Sequence, residues 1–260
     1  MTFYRLIYLI LVLPLLYSCA QTLGFTQSDS DRLDVAEQTN EVAQSNLNLG
    51  IAYMRRGEYE TALEKLKKAQ EADPKYTPTL NALGLLYQKI GKPKEAEDFF
   101  KKALGYRPND PHTLNNYGQF LCSNQRYEEA EQAFIKSANN PLYESPEISL
   151  TNAGTCALQN NSPEKAEVFL RQALEKNPRV PVALIQMAQL SYDQGNYLSA
   201  RGYLQRYLEI ASHTATSLWL GIQIEQQLGD KNIVSSYALL LKNNFPNSKE
   251  AELLREAGIK

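Results

Sequence analysis

Apolar residues recur along most of the chain with the 3.6-residue spacing of helices that bury one face. From about residue 43 onward, stretches of roughly 12–14 residues with this spacing alternate with short polar breaks. Every second break contains a residue suited to the left-handed conformation that ends a helix. These residues are Gly57, Gly91, Gln125, Asn161, Gly195 and Gly229. The pattern predicts an all-α protein built from pairs of helices, in which neither helix can bury its apolar face alone.

The helix pairs repeat with a period of 34 residues. A glycine recurs in the first helix of the first three pairs, and an alanine recurs in the second helix. The glycines are Gly50, Gly84 and Gly118, and the alanines are Ala62, Ala96 and Ala130. This pattern resembles the tetratricopeptide repeat, in which small residues let two helices approach closely. The resemblance implies a right-handed superhelix with a concave face lined by the first helix of each pair.

Six repeats are predicted in a domain that spans 43–260. They lie near 43–76, 77–110, 111–146, 147–180, 181–214 and 215–246, with a slip of two residues in the register at 139–143. A short helix from Lys249 to Ala257 is predicted to cap the end of the stack, with Asn247 and Glu250 spaced like a capping box. An irregular helical bundle is the alternative, but it does not explain a register kept through six units.

The first eighteen residues have the layout of a secretory signal peptide. A basic residue, Arg5, precedes an apolar stretch from Leu6 to Leu16, and small Ser18 follows. This stretch is about 16 Å long as a helix, roughly half the thickness of a bilayer core. It is therefore too short for a transmembrane anchor.

The end of this segment, from Leu16 to Cys19, resembles the bacterial lipobox, although Tyr17 stands where a small residue is usual. The resemblance implies cleavage after Ser18 and lipid on Cys19. Multiple acyl chains on one residue anchor a protein stably. Ala20 follows the cysteine, which by resemblance to Gram-negative sorting rules implies the periplasmic face of the outer membrane. The alternative is an ordinary cleaved signal peptide in which Cys19 is incidental.

Residues 19–42 are rich in Gln, Thr, Ser and Asp. This composition predicts a lipidated tether, which becomes helical from about Asp34.

The charge of the chain excludes one class of partner. The 27 Lys and Arg residues are dispersed along the helices, and 29 acidic residues outnumber them. Nucleic-acid binding requires a clustered excess of positive charge, so no nucleic acid is expected as a partner.

No set of residues suggests catalysis. His112 and His213 are the only histidines and fall in different repeats, and no nucleophile and base share a motif. We therefore expect neither an enzyme nor a metal site, with no cofactor and no small-molecule substrate.

Two cysteines remain once Cys19 is assigned to lipid. Cys122 and Cys156 occupy equivalent places near the ends of the first helices of repeats three and four. Neighbouring helix axes lie about 8–10 Å apart, which permits the Cα separation of about 4.4–6.8 Å that a disulfide needs. An oxidising compartment would favour the bond, which would lock the irregular junction at 139–143. The alternative is two buried free thiols.

By resemblance to other tetratricopeptide repeats, positions 2, 5, 9, 12 and 13 of each first helix face the groove. The predicted binding residues are Leu47, Ile51, Met54, Arg55, Asn81, Leu85, Gln88, Asn115 and Gln119. The apolar members of repeat one are expected to be unneeded for stacking and free to hold side chains of a partner, while Asn and Gln pair with its backbone. The alternative is that the N-terminal segment of the chain covers Leu47, Ile51 and Met54.

The lipobox, the six repeats and two local motifs together resemble the type IV pilus biogenesis lipoproteins called PilF or PilW. The motifs run from Asn115 to Cys122 and from Asn152 to Cys156. The resemblance implies a pilotin, an outer-membrane lipoprotein that binds the pilus secretin and promotes its localisation and multimerisation for twitching motility. It also implies the disulfide.

A second interpretation keeps the leader, the repeats and the groove. It is a periplasmic scaffold that organises cell-wall enzymes or another outer-membrane assembly, because the repeat fold alone does not determine a partner.

Overall fold

A computed structural model of the protein describes residues 27–259, with side chains from Glu41 onward. This part of the chain contains α-helices and no strands. The helices are α1 (Gln27–Arg55), α2 (Tyr59–Ala72), α3 (Thr77–Lys89), α4 (Pro93–Tyr106), α5 (Pro111–Ser123), α6 (Tyr127–Ala138), α7 (Pro146–Gln159), α8 (Pro163–Lys176), α9 (Pro181–Asp193), α10 (Tyr197–Leu208), α11 (Ala215–Leu228), α12 (Lys231–Asn244) and α13 (Lys249–Glu256). The predicted all-α superhelix of tetratricopeptide repeats is confirmed.

The first twelve helices form six pairs, which we number as repeats one to six. Each first helix (α1, α3, α5, α7, α9 or α11) packs on its own second helix and on the first helix of the next repeat. Consecutive second helices do not approach within 8 Å, Cα to Cα, anywhere in the described chain. The first helices are therefore the closely spaced inner layer, and the second helices form the wider outer layer.

A glycine permits the close contact within a pair. At Gly84, an added Cβ would lie 2.7 Å from Cε1 of Phe100, and at Gly118 it would lie 2.7 Å from Cε1 of Phe134. Both phenylalanines are fully buried. The recurring glycine thus provides the space into which the large residue of the second helix packs.

The predicted left-handed residues between paired helices are confirmed. Their φ angles are 79° at Gly57, 74° at Gly91, 60° at Gln125, 49° at Asn161, 78° at Gly195 and 80° at Gly229. Each ends a first helix and reverses the chain into the second helix.

Helix α1 begins earlier than the sequence suggests. It is helical from Gln27, seven residues before Asp34, so the later part of the predicted tether is helix. No Gly or Pro interrupts the sequence between Gln27 and Leu49, so no strong helix breaker separates this segment from the rest of α1. The signal peptide, Cys19 and residues 20–26 lie outside the described residues.

The two ends of the stack differ. At the beginning, Leu49 of α1 is 44% exposed, whereas the equivalent Leu83 is fully buried between repeats. At the other end, α13 covers repeat six with Ala251 and Leu254, which join a buried cluster that includes Leu218. The predicted capping helix therefore closes the C-terminal end.

The predicted capping box of α13 is wrong in its residues. Ser248, not Asn247, is the N-cap, and its Oγ accepts a hydrogen bond from the backbone N–H of Ala251. Glu250 instead accepts a hydrogen bond from Thr216 Oγ1 at 2.7 Å, which ties α13 to α11. The spacing of Asn247 and Glu250 fits the motif, but the helix begins one residue later.

Candidate protein-binding groove

The groove is the inner surface formed by the first helices. Within the predicted set, five residues are half-buried and apolar or amide-bearing, namely Ile51, Met54, Asn81, Leu85 and Gln88. Arg55 and Gln119 are exposed, and Leu47 and Asn115 are buried. The structure thus divides one predicted surface into residues available to a partner and residues used in packing.

Leu47 does not meet the expectation that the apolar residues of repeat one are unneeded for stacking. Its side chain is 5% exposed and packs in the cluster that contains Leu66 and Leu83. The reason is geometric, since the equivalent residues of repeats three and four, Asn115 and Thr151, are also buried. This position faces the neighbouring first helix and lies in the seam between repeats.

The amides at this seam already have partners. Asn116 Nδ2 donates to Asn81 Oδ1 at 3.1 Å, and Asn152 Nδ2 and Ser149 Oγ donate to Asn115 Oδ1 at 2.9 and 3.1 Å. The Oδ1 atoms of Asn81 and Asn115 are therefore already bonded within the stack, and the pairing of these residues with a partner backbone stays a prediction. These amides form a polar ladder that joins α3, α5 and α7, which fixes the spacing of the inner helices.

Ile51, Met54 and Leu85 form an open apolar row. Ile51 and Met54 pack from one side on the buried cluster of repeats one and two, and Leu85 packs on the next cluster. Each keeps part of its surface exposed. An apolar row on a concave helical surface suits the apolar side of an extended or helical peptide.

The predicted groove stops at repeat three, but the structure extends the apolar surface into repeats four and five. Ile148 is 46% exposed and Val182 is 50% exposed, and half-buried Ile185 lies beside them in α9. Ile148 and Val182 occupy position 2 of their repeats, and Ile185 occupies position 5. The positions that predict groove residues in repeat one therefore also identify these three.

Cys122 and Cys156 are joined by a disulfide, with Cα atoms 5.9 Å apart. The bond links α5 to α7 across the junction at 139–143. Tyr143 of that junction is 9% exposed and packs edge-on against His112, with ring centroids 5.3 Å apart. The two extra residues are thus accommodated by a packed loop rather than by a break in the stack.

A charged network joins repeats two and three. Glu97 of α4 accepts hydrogen bonds from Arg126 Nη1 at 2.7 Å and from Tyr117 Oη at 3.0 Å, and pairs with Lys101 at 2.8 Å. Lys101, with Arg126 and Tyr117, lowers the pKa of Glu97 to about 2. Burial, with the neighbouring Glu97 carboxylate, raises the pKa of Tyr117 to about 12. Each charge is paired within the network, so these groups hold repeats two and three together.

The described side chains include no group of three or more His, Cys, Asp and Glu residues placed to hold a metal ion. In the same part of the chain, no helix is both long enough and apolar enough to cross a membrane.

Family models and solved structures place these features in a known group. Tetratricopeptide repeat models match residues 41–109, 89–139 and 157–217. The type IV pilus assembly protein PilF of Pseudomonas aeruginosa strain PAO1 is 32% identical over 225 residues, which is 86% of this chain and 89% of that protein.

Two solved structures superpose closely on the fold. The structure of Pseudomonas aeruginosa PilF matches with a TM-score of 0.77 and 32% identity, covering 85% of this chain and 99% of that chain. PilW, described as a widely conserved type IV pilus biogenesis factor, matches with a TM-score of 0.74 and 29% identity, covering 83% and 99%. The protein therefore belongs to the family of type IV pilus tetratricopeptide repeat proteins that includes PilF and PilW.

Proposed function

We propose that this protein takes part in type IV pilus biogenesis as a pilotin. In this role it is held at the periplasmic face of the outer membrane by lipid on Cys19 and binds the pilus secretin in its groove. Membership of the family that includes PilF and PilW supports a role in type IV pilus biogenesis. The observation that supports the binding site is the open apolar row of Ile51, Met54 and Leu85 in repeats one and two.

The groove is tested with Ile51→Asp combined with Leu85→Asp. Leu47 is left unchanged, because a charge at a 5% exposed core position would unfold repeat one. We expect the double variant to keep its helical circular dichroism spectrum and to lose secretin multimers in outer-membrane fractions. Val168→Asp is the matched control, because Val168 is 53% exposed on α8 of the outer layer. Normal multimers in the double variant would refute this site.

The anchor is tested separately with Cys19→Ala. We expect the variant to appear in the soluble periplasmic fraction, with the secretin misplaced, because the lipid supplies the membrane affinity. Unchanged membrane fractionation would refute the lipid anchor.

Affinity capture of the secretin distinguishes a pilotin from a periplasmic scaffold for cell-wall enzymes. A pilotin retains the secretin from solubilised outer membrane, and this retention depends on Ile51 and Leu85. A scaffold of cell-wall enzymes does not retain it.

A further inference from the structure

Two basic side chains of the groove have no acidic partner. Arg55 and Lys89 are both exposed, and neither forms an ion pair with any residue that the structure describes. Each lies directly after a half-buried residue of the groove, Met54 in α1 and Gln88 in α3. The open apolar row therefore ends in positive charge.

Arg55 and Lys89 are equivalent residues of neighbouring inner helices. They are one repeat apart, and α1 packs beside α3. Near the same end of α5 and α7, the Cα atoms of Cys122 and Cys156 are 5.9 Å apart. This end of successive first helices therefore lies close together, and Arg55 and Lys89 lie at this end of α1 and α3.

This positive charge is local to the beginning of the stack. Residues 43–110 contain 12 Lys and Arg against 9 Asp and Glu, whereas residues 111–260 contain 13 against 15. The groove position held by Arg55 and Lys89 becomes Ser123, Gln159, Asp193 and Gln227 in the later repeats. Glu58 is the acid nearest to Arg55 in sequence, but it lies in the turn before α2 and forms no ion pair with it.

We propose that repeats one and two recognise an acidic apolar peptide segment of the partner. A carboxylate of the segment binds between Arg55 and Lys89, and its apolar side chains pack on Ile51, Met54 and Leu85. A carboxylate held by two cations forms short charge-assisted hydrogen bonds, which are stronger where apolar contacts exclude water. The inference rests on the proposed function and adds the chemistry of the secretin segment.

Two other sources of negative charge fit less well. Residues 19–26, which precede α1 in the cleaved chain, contain no acidic residue and do not supply the carboxylate. The phosphate of a lipid headgroup lies at a flat bilayer surface, whereas Arg55 and Lys89 lie on helices of the closely spaced inner layer. A peptide is the occupant that enters such a groove.

The inference is tested with the purified, lipidated full-length protein in detergent on a peptide array. The array contains overlapping 18-residue segments of the secretin and random amphipathic peptides of the same length. We expect Asp and Glu to be enriched among the binders, and replacement of the key carboxylate by its amide to weaken binding about tenfold. Arrays without this enrichment, including arrays with no binders, would overturn the proposal.

Variants locate the carboxylate. Arg55→Gln and Lys89→Gln are each expected to weaken binding of the acidic peptide by about fivefold to tenfold. Binding of the amide version of the peptide is expected to stay unchanged. Lys94→Gln is the matched control, because Lys94 is also exposed and forms no ion pair with a described residue, but lies on α4 in the outer layer. Equal losses for the acidic and amide peptides would contradict a direct contact with the carboxylate.

Soluble short-chain phosphatidylglycerol tests the lipid source. If it binds more tightly than every peptide and its binding depends on Arg55, the peptide assignment is overturned. If the array shows carboxylate enrichment but no secretin segment binds, the proposed pilotin function fails while the preference of the groove stands. If secretin segments bind without regard to charge, the preference of the groove for carboxylates fails while the proposed pilotin function stands.

Discussion

Glu225 is the only charged side chain among the buried residues that the structure describes, at 3% exposure. It lies on α11, and Arg201 of α10 donates to both of its carboxylate oxygens, through Nε at 2.8 Å and through Nη2. The pair joins repeats five and six. A buried carboxylate needs such a partner, because an unpaired charge in the interior is far more costly than the pair.

Arg201→Met is therefore expected to lower the free energy of unfolding by about 3 kcal/mol, because it leaves Glu225 buried without a partner. The double variant Arg201→Met with Glu225→Leu should recover most of this loss. Arg171→Met is the control, since its pair with Glu167 is exposed and contributes less than about 0.5 kcal/mol. Urea denaturation measures all three. A loss no larger than that of the control would contradict the assigned role of Arg201.

Gln125 has a left-handed backbone, with φ of 60°, although it carries a side chain. Four equivalent turns use glycine, which adopts this conformation without strain. Gln125→Gly is expected to raise the free energy of unfolding by about 0.5–1 kcal/mol. Asn160→Gly is the control, because Asn160 has a φ of −85° and gains nothing from glycine. Thermal melts of the two variants should therefore shift in different directions.

Contacts between elements respond to pH through Glu97, which links α4 to α5 and to the start of α6. Its folded pKa of about 2 lies below its ordinary value of 4.5. Between these pH values the carboxylate therefore binds fewer protons in the folded protein than in the unfolded chain. Its contribution to the free energy of unfolding is complete above about pH 4.5. That contribution is lost as the pH falls from about 4.5 to about 2.

Glu97→Gln should remove about 2 kcal/mol of unfolding free energy at pH 7, because the side chain is 22% exposed and partly screened. The difference from the unmodified protein should shrink as the pH approaches 2. Glu95→Gln, in the same helix but exposed and unpaired in the structure, is the control. Denaturation series at pH 7, 4 and 2.5 provide the measurement. A difference that stays constant with pH would contradict this account.

The disulfide closes a loop between α5 and α7 with a sequence separation of 34 residues. Loop-closure entropy gives a stabilisation of about 2–4 kcal/mol for a loop of this size. Reductant should therefore lower the denaturation midpoint of the unmodified protein and leave the Cys122→Ala, Cys156→Ala double variant unchanged. Mass spectrometry after alkylation gives the redox state. Two alkylated thiols without reductant would show that the bond does not form in the purified protein.

The sequence predicted the elements because their signals are local. Apolar spacing identified the helices, and residues suited to a left-handed backbone identified the turns, including Gln125 and Asn161. The seam between neighbouring first helices was not predictable in this way, because the burial of Leu47 and the partners of Asn115 depend on a helix one repeat away. The N-cap of α13 was missed for a smaller reason, since Asn247 and Ser248 are both good caps and packing of Leu254 selects the second.

In the whole molecule, each repeat contacts only its neighbours, so stability is expected to be local. The buried residues form three clusters along the stack rather than one core. The first cluster supports the groove of repeats one and two, and the third joins repeat six to α13. Damage at one end should therefore leave the other end folded.

Leu254→Asp tests this separation, because Leu254 of α13 is fully buried in the third cluster. A charge there should open repeat six and α13, since a buried carboxylate without a partner is strongly destabilising. Hydrogen exchange should rise in α11–α13 and stay nearly unchanged in α1–α4, and binding of the acidic peptide should persist. Leu66→Asp, in the first cluster, is the matched variant and should raise exchange in α1–α4 and abolish binding. If Leu254→Asp also raises exchange throughout α1–α4, the molecule unfolds as one cooperative unit, and the C-terminal cap then stabilises the groove from the far end of the stack.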